Sequence, residues 1–276
     1  MRRRCPSKGS GEPGAPMTEP CPAAFVELAG RLADAAGGIA RRYFRSGIAA
    51  DSKADASPVT VADREAEAAM RAMIEAAYPD HGIWGEEYGV VRGDAPYLWV
   101  LDPIDGTKAF MTGLAVFGTL IALAHRDRPI LGVIDQPVLR ERWLGAAGRG
   151  ASFNGTPIRT ASETSLAQTA LYATHPDMFI HGDDPARFAR LAAAVRFTRF
   201  GAECYGYGLL ASGHAGLCVD ATMKPHDYMA LIPVVEGAGG VVTDWAGRPL
   251  GMGSDGHVLA AANPALHAAA LKALAG

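Results

Sequence analysis

The residues with the most chemistry to offer lie in Trp99-Val-Leu-Asp-Pro-Ile-Asp-Gly-Thr107. An apolar run delivers Asp102 to its own end. Pro103 stops ladder pairing and turns the chain, and Asp105 brings a second carboxylate back toward the first. Gly106 lets backbone N–H groups approach an anion, and Thr107 is placed to open a helix whose positive dipole end faces the same spot. Two carboxylates this close repel each other unless a cation lies between them. Hard oxygen donors suit Mg²⁺, which keeps part of its water shell and takes substrate oxygens for the rest. Carboxylates beside anion-binding amides suit metal-assisted phosphoryl transfer. An Asp-rich turn with capping aspartates is the plain structural alternative for the same stretch.

Three further acidic positions bear on that choice. Glu86 and Glu87 follow an apolar strand and a glycine, although surface glutamates read the same way. Asp63, in PVTVADREAE, and Asp227, in MKPHDYMAL, each sit where a helix opens, and N-capping alone would explain either. Together with Asp102 and Asp105 they place acids at the ends of several elements, where ligands gather in α/β folds. His226 adjoins Asp227 at a helix start and reads as a packing or supporting histidine rather than a zinc ligand. The remaining histidines lack ligand spacing. GAGG at 237–240 ends a helix instead of opening one, so it is a C-cap and not a nucleotide loop.

These positions need elements to hold them. Phe25, Leu28, Leu32, Ala36, Ile39 and Tyr43 recur at helical spacing within 23–46. A second helix is expected from Asp63 to Tyr78, stopped by Pro79, Asp80 and Gly82. Strands follow at HGIWG, YLWVLDPIDG, 116–124 and 130–136. From about 166 strands and helices alternate: LAQTALYAT, helix DPARFARLAAAV, RFTRF, helix YGYGLLASG, GLCVDA, and a helix from Asp227 to Ala238. GVVTDW, HVLAAA and a last helix, with Asn263 as N-cap and Pro264 in its first turn, complete the chain. The alternation points to a layered α/β architecture with two subdomains sharing a cleft. The expected divisions are a tail at 1–20, an α+β subdomain at 21–155 with most of the acids, and an α/β subdomain at 156–276.

Bulk properties narrow the function classes. A chain of 276 residues can bury a sizeable core. A net charge of −3 provides no basic footprint for nucleic acid or an anionic membrane surface. No apolar run approaches the ~20 residues of a membrane span. The opening MRRRCPSKGSGEPGAP has no apolar stretch behind its basic residues and reads as a disordered tail, with Met17 as an alternative start. Cys5, Cys21, Cys204 and Cys218 form no Cys-x-x-Cys pair, which fits a reduced, cytoplasmic setting.

WGEE at 84–87, WVLDPIDGT at 99–107 and KPHDYMALIPVVEGAGG at 224–240 occur in the order of the inositol monophosphatase superfamily, which the chain resembles over about 23–275. The resemblance implies an αβαβα sandwich and a Mg²⁺-dependent phosphatase acting on a small phosphate monoester, with two to three ions and commonly a homodimer. By position it implies that Glu86, Asp102 and the Ile104 carbonyl hold one ion, and that Asp102, Asp105 and Asp227 hold a second. Glu86 would help to hold a third, weaker ion. Asp63 and Thr107 would orient and deprotonate the attacking water. Gly106 and Thr107 would meet the phosphate, and Asp220 and Glu203 the organic part of the substrate. The inositol-type pattern has Trp-Asp where this chain has His226-Asp227. That departure, with GVIDQPVLRERWLG and GAECYGYGLLASG, resembles the histidinol-phosphate phosphatase branch. Histidinol phosphate carries an ammonium and an imidazole that Asp220 and Glu203 suit. Inositol or another polyol phosphate remains the alternative, followed by 3′-phosphoadenosine 5′-phosphate and by a non-catalytic metal-binding relative.

Overall fold

The structure is a computed structural model and describes residues 20–47, 51–52 and 58–276. Most of the expected tail, with Cys5 and Met17, lies outside the described residues.

Helix α1 (Ala23–Tyr43) buries Phe25, Leu28, Leu32, Ala36 and Ala40, a stripe at i, i+3 and i+4. Helix α2 (Val61–Ala77) packs beside it. It begins two residues earlier than expected: Thr60 is the N-cap and Asp63 occupies the third helical position of a capping box. The short strands β1 (Asp51–Ser52) and β2 (Pro58–Val59) pair antiparallel.

The first sheet contains β3 (Gly82–Gly85), β4 (Gly89–Val91), β5 (Tyr97–Asp105), β6 (Gly118–His125), β7 (Arg128–Gln136), β8 (Glu141–Ala146), β9 (Gly150–Phe153) and β10 (Thr156–Pro157). Its order is β10-β9-β8-β7-β6-β5-β3-β4. Only the β3–β5 pair is parallel, so both strands run toward the same edge and deliver Glu86 and Asp102 there. The short helix α3 (Thr107–Thr112) leaves the end of β5.

The second sheet has the order β12-β11-β13-β15-β14, from β11 (Ala170–Ala173), β12 (Phe197–Phe200), β13 (Leu217–Asp220), β14 (Val241–Thr243) and β15 (Val258–Ala261). Helices α5 (Glu203–Ala211) and α7 (Leu231–Gly237) lie between the two sheets. Helices α4 (Asp184–Ala194) and α8 (Pro264–Ala275) pack together on the far side of the second sheet. With α1 and α2 outside the first sheet, the layers run α-β-α-β-α. The central layer holds the largest core, in which Tyr207, Tyr228, Met229, Leu231 and Val235 meet Leu120, Ile134 and Trp143.

The single helix expected over 227–238 is broken into α6 (Pro225–Tyr228) and α7, separated by Met229 and Ala230. Met229 (φ −62°, ψ −31°) and Ala230 (φ −74°, ψ −29°) keep helical dihedrals, so the interruption is one of hydrogen bonding, to which Pro233 contributes by having no N–H to return to the Met229 carbonyl. Asp227 of α6 lies at the end of β5, and α7 packs along β7 and β8. Asn263 caps α8 as expected, accepting from Leu266 N–H at 3.0 Å. No helix among the described residues is long and apolar enough to cross a membrane. Cys21, Cys204 and Cys218 are buried free thiols.

Candidate active site

Asp102 lies at the point where β5 loses its regular pairing with β6. The register shifts between Asp102 and Asp105, so both side chains leave the ladder on the same side. Asp102 Oδ1 accepts from Ile104 N–H at 3.0 Å, which closes the turn through Pro103. Thr119 Oγ1 donates to the Pro103 carbonyl at 2.9 Å and pins that turn to the neighbouring strand. Gly106 follows with φ +79° and caps α3, so Thr107 does open a helix.

Asp102, Asp105 and Asp227 each offer an oxygen, and these atoms all lie within 4.8 Å of one another. A second group, Glu86, Asp102 and His226, meets the same limit. Asp102 therefore joins two adjacent ligand sets. Burial raises the pKa values of Asp102 and Asp105 well above the carboxylate range. The charges of Glu86, Asp105 and Asp227 push Asp102 further in that direction, and those of Glu203 and Asp227 push Asp105. Asp227 is raised by burial too, although His226 and the Lys224 N–H oppose the shift. Concentrated, desolvated negative charge of this kind is what a divalent cation would neutralise, and the oxygen-rich donor set fits a hard ion.

Asp63 completes its capping box: Oδ2 accepts from Thr60 N–H at 2.8 Å and from the Thr60 hydroxyl. Its other oxygen is buried with no hydrogen-bond partner. Burial raises its pKa, and the nearby Glu86 charge adds to the shift. Thr107 Oγ1 donates at 3.3 Å to the Ile104 carbonyl, the oxygen expected to hold an ion, and so is not bonded to Asp63.

Glu203 begins α5 with φ +49°, an uncommon conformation for a side chain of this size. This backbone turns Cys204 N–H onto Asp105 Oδ2 at 2.8 Å. A Cβ on Gly106 would meet Glu203 Cγ at 2.8 Å, so a larger residue at 106 would displace Glu203. Asp220 is 1% exposed, and its oxygens accept from Thr174 N–H at 2.7 Å and Tyr207 OH at 2.9 Å. Burial raises its pKa to about 7, against those two hydrogen bonds.

A sequence profile described as the inositol monophosphatase family matches residues 23–275. The chain belongs to the inositol monophosphatase family. It is 45% identical to the bifunctional phosphatase IMPL2 of Arabidopsis thaliana, a chloroplastic protein, covering 91% of this chain and 75% of that one. It is 36% identical to a histidinol-phosphatase of Chlorobaculum parvum, covering 87% and 93%. Among solved structures, an inositol monophosphatase from Zymomonas mobilis superposes with a TM-score of 0.85 at 47% identity, covering 92% and 98%. The family is one of metal-dependent phosphatases acting on small phosphate esters, and the acidic groups at the end of β5 are in keeping with it.

One supporting residue of this family member escaped the sequence reading. Glu67 is fully buried on the sheet-facing side of α2. It accepts from Glu87 N–H at 2.7 Å, Tyr88 N–H at 3.1 Å and Arg71 Nε at 2.7 Å, while Arg71 also reaches the Gly89 carbonyl. Gly85 has no side chain because the carboxylate occupies that space; a Cβ would lie 1.9 Å from Glu67 Oε1. Glu67 thus fixes the backbone on both sides of Glu86. The available signal was Asp63 and Glu67 on a stripe with Ala66, Met70 and Ile74, two acids on an otherwise apolar face.

Proposed function

We propose that this phosphatase is Mg²⁺-dependent and hydrolyses L-histidinol phosphate to L-histidinol and phosphate in cytoplasmic histidine synthesis. The reading rests first on the two acidic groups that share Asp102. Glu86, Asp102 and the Ile104 carbonyl would hold one ion, and Asp102, Asp105 and Asp227 another, with Glu86 helping to hold a third. Bound Mg²⁺ supplies charge for the phosphate oxygens, for the attacking water and for the departing alkoxide.

The chain's own residues do the rest. The free oxygen of Asp63 takes the proton from the attacking water, and its raised pKa makes it a better base than an exposed aspartate would be. Thr107 orients that water with its hydroxyl, exchanging the Ile104 carbonyl for it. Backbone N–H groups at Gly106 and Thr107, where α3 begins, would meet the phosphate. Attack in line with the leaving oxygen inverts phosphorus and needs no covalent intermediate.

The partly buried Glu203 supports a cationic organic group on the substrate, with Asp220, whose oxygens are held by Thr174 and Tyr207, buried nearby as a second acidic candidate. Glu203 packs against Gly106 and is the more accessible of the two. Inositol or another polyol phosphate is the second reading, favoured by the likeness to the Zymomonas mobilis inositol monophosphatase. Steady-state kinetics on L-histidinol phosphate, myo-inositol 1-phosphate and 3′-phosphoadenosine 5′-phosphate separate the readings. A higher kcat/KM for inositol phosphate than for histidinol phosphate would overturn the first. A homodimer is part of the proposal, and a monomer mass by light scattering would remove it.

A further inference from the structure

His226 stands beside the acidic centre with an unusual set of neighbours. Its ring is 7% exposed, and one of its nitrogens lies within 4.8 Å of carboxylate oxygens of both Glu86 and Asp102. Nε2 faces Asp227 Oδ1 at 3.3 Å. Nδ1 is buried and has no hydrogen-bond partner.

A neutral imidazole has one N–H and one lone pair. With Nε2–H turned toward Asp227, the lone pair falls on Nδ1, where no donor meets it. A buried lone pair left unmet is destabilising, and a cation held by the same carboxylates would satisfy it. A carboxylate on the far ring nitrogen is also the arrangement that orients metal-ligating histidines.

We infer that His226 is a nitrogen ligand to the ion shared by Glu86 and Asp102, which makes that position selective for Mn²⁺, Co²⁺ or Zn²⁺ over Mg²⁺. The inference rests on the metal-centre reading given above. Imidazole strengthens binding of these ions far more than that of Mg²⁺, which prefers oxygen and water. The neighbouring group of Asp102, Asp105 and Asp227 is all oxygen, so the two positions would differ in preference although they share a ligand.

The test uses the metal-free full chain titrated with one to three equivalents of Mn²⁺. Electron spin-echo spectroscopy should show ¹⁴N modulation from a directly bound imidazole, altered by [¹⁵N]histidine labelling and lost in His226→Asn. Calorimetry should show His226→Asn weakening one Mn²⁺ site by about tenfold or more, with a much smaller change for Mg²⁺. His226→Trp should behave like His226→Asn if either variant folds poorly, and the wild-type spectrum needs no variant at all. Mn²⁺ bound without nitrogen modulation overturns the role of His226 and leaves the metal centre standing. Equal weakening of Mn²⁺ and Mg²⁺ also overturns it. Failure to bind Mn²⁺ at all overturns the metal centre itself.

Discussion

Glu67→Gln separates positioning of the centre from stability of the fold. The substitution keeps size and one acceptor oxygen, but the new amide NH₂ must face either the Glu87 N–H or the Tyr88 N–H with Arg71, both of which now donate to the carboxylate. Arg71 also loses its counter-charge while its side chain is only 11% exposed. Breaking a buried pair of this kind costs about 3–5 kcal/mol. If all of it reached the global transition, Tm would fall by roughly 10 °C in a chain of this size. Some of it should instead appear as freedom in residues 85–89, and a misplacement of Glu86 by ~1 Å is worth about 10²-fold in rate. We expect kcat at fixed Mg²⁺ to drop by that order and the half-saturating Mg²⁺ concentration to rise about tenfold or more, with KM for substrate at saturating Mg²⁺ nearly unchanged. Gly85→Ala, which drives a methyl into the same carboxylate, should reproduce the shift in Mg²⁺ dependence. A lowered Tm with an unaltered Mg²⁺ dependence in both variants would show that Glu67 holds the fold and not the ligand.

Asp105→Asn should abolish turnover yet raise the Tm of the metal-free protein above pH 7, because it removes one of several mutually repelling buried carboxylates while an amide oxygen can still accept from Cys204 N–H. Normal turnover in this variant, or a lower metal-free Tm, contradicts the assignment. Adding Mg²⁺ should raise the Tm of wild type more than that of Asp105→Asn, and activity removed by EDTA should return with Mg²⁺; activity that survives in metal-free protein would contradict this. Asp220 carries a folded-state pKa raised from 3.8 to about 7, so its stabilising protonated form is intact below about pH 4 and is lost as pH rises through 7. The linked loss is about 4 kcal/mol, and Asp220→Asn should flatten the pH dependence of denaturant unfolding over that window. The same variant should weaken histidinol phosphate more than an aryl phosphate; equal losses would argue against any role in specificity. Asp63→Asn can keep the capping contacts to Thr60 but supplies no base, so kcat should fall about 10²–10⁴-fold with little change in Tm; an intact kcat would reassign the proton.

The layered fold was legible because each layer has its own period in the sequence. The stripe of Phe25, Leu28, Leu32 and Ala36 reads as one buried face, and YLWVLDPIDG reads as a strand ending in acids. Boundaries were less legible where capping and proline compete with periodicity. Thr60 takes the cap that Asp63 alone suggested, and Pro233 interrupts the hydrogen bonding of the helix that the apolar run over 227–238 suggested. Asp102 and Asp105 were visible because acids after an apolar run are unusual enough to notice, and Asp227 because it sits at a helix start. Glu67 was not, because a glutamate between Ala66 and Arg71 on a helix looks like an ordinary solvated residue. Its place on the stripe with Ala66, Met70 and Ile74 was the one sign in the sequence, and the sheet beneath it, with a glycine at 85, shows that it is buried.

His226 shows the same limit from the other direction. Its place next to Asp227 made it look like a supporting residue, since neighbours on a helix start project in different directions. The structure nevertheless brings both side chains of this single helical turn, α6, to the acidic edge of β5. Because Met229 and Ala230 already have helical dihedrals, Pro233→Ala restores one hydrogen bond without redirecting α6 and should leave both metal positions intact, whereas His226→Asn should weaken one. Calorimetric titration of Mn²⁺ into the two variants checks both, and weakening of both positions in Pro233→Ala would refute the placement of α6 by the core around Tyr228.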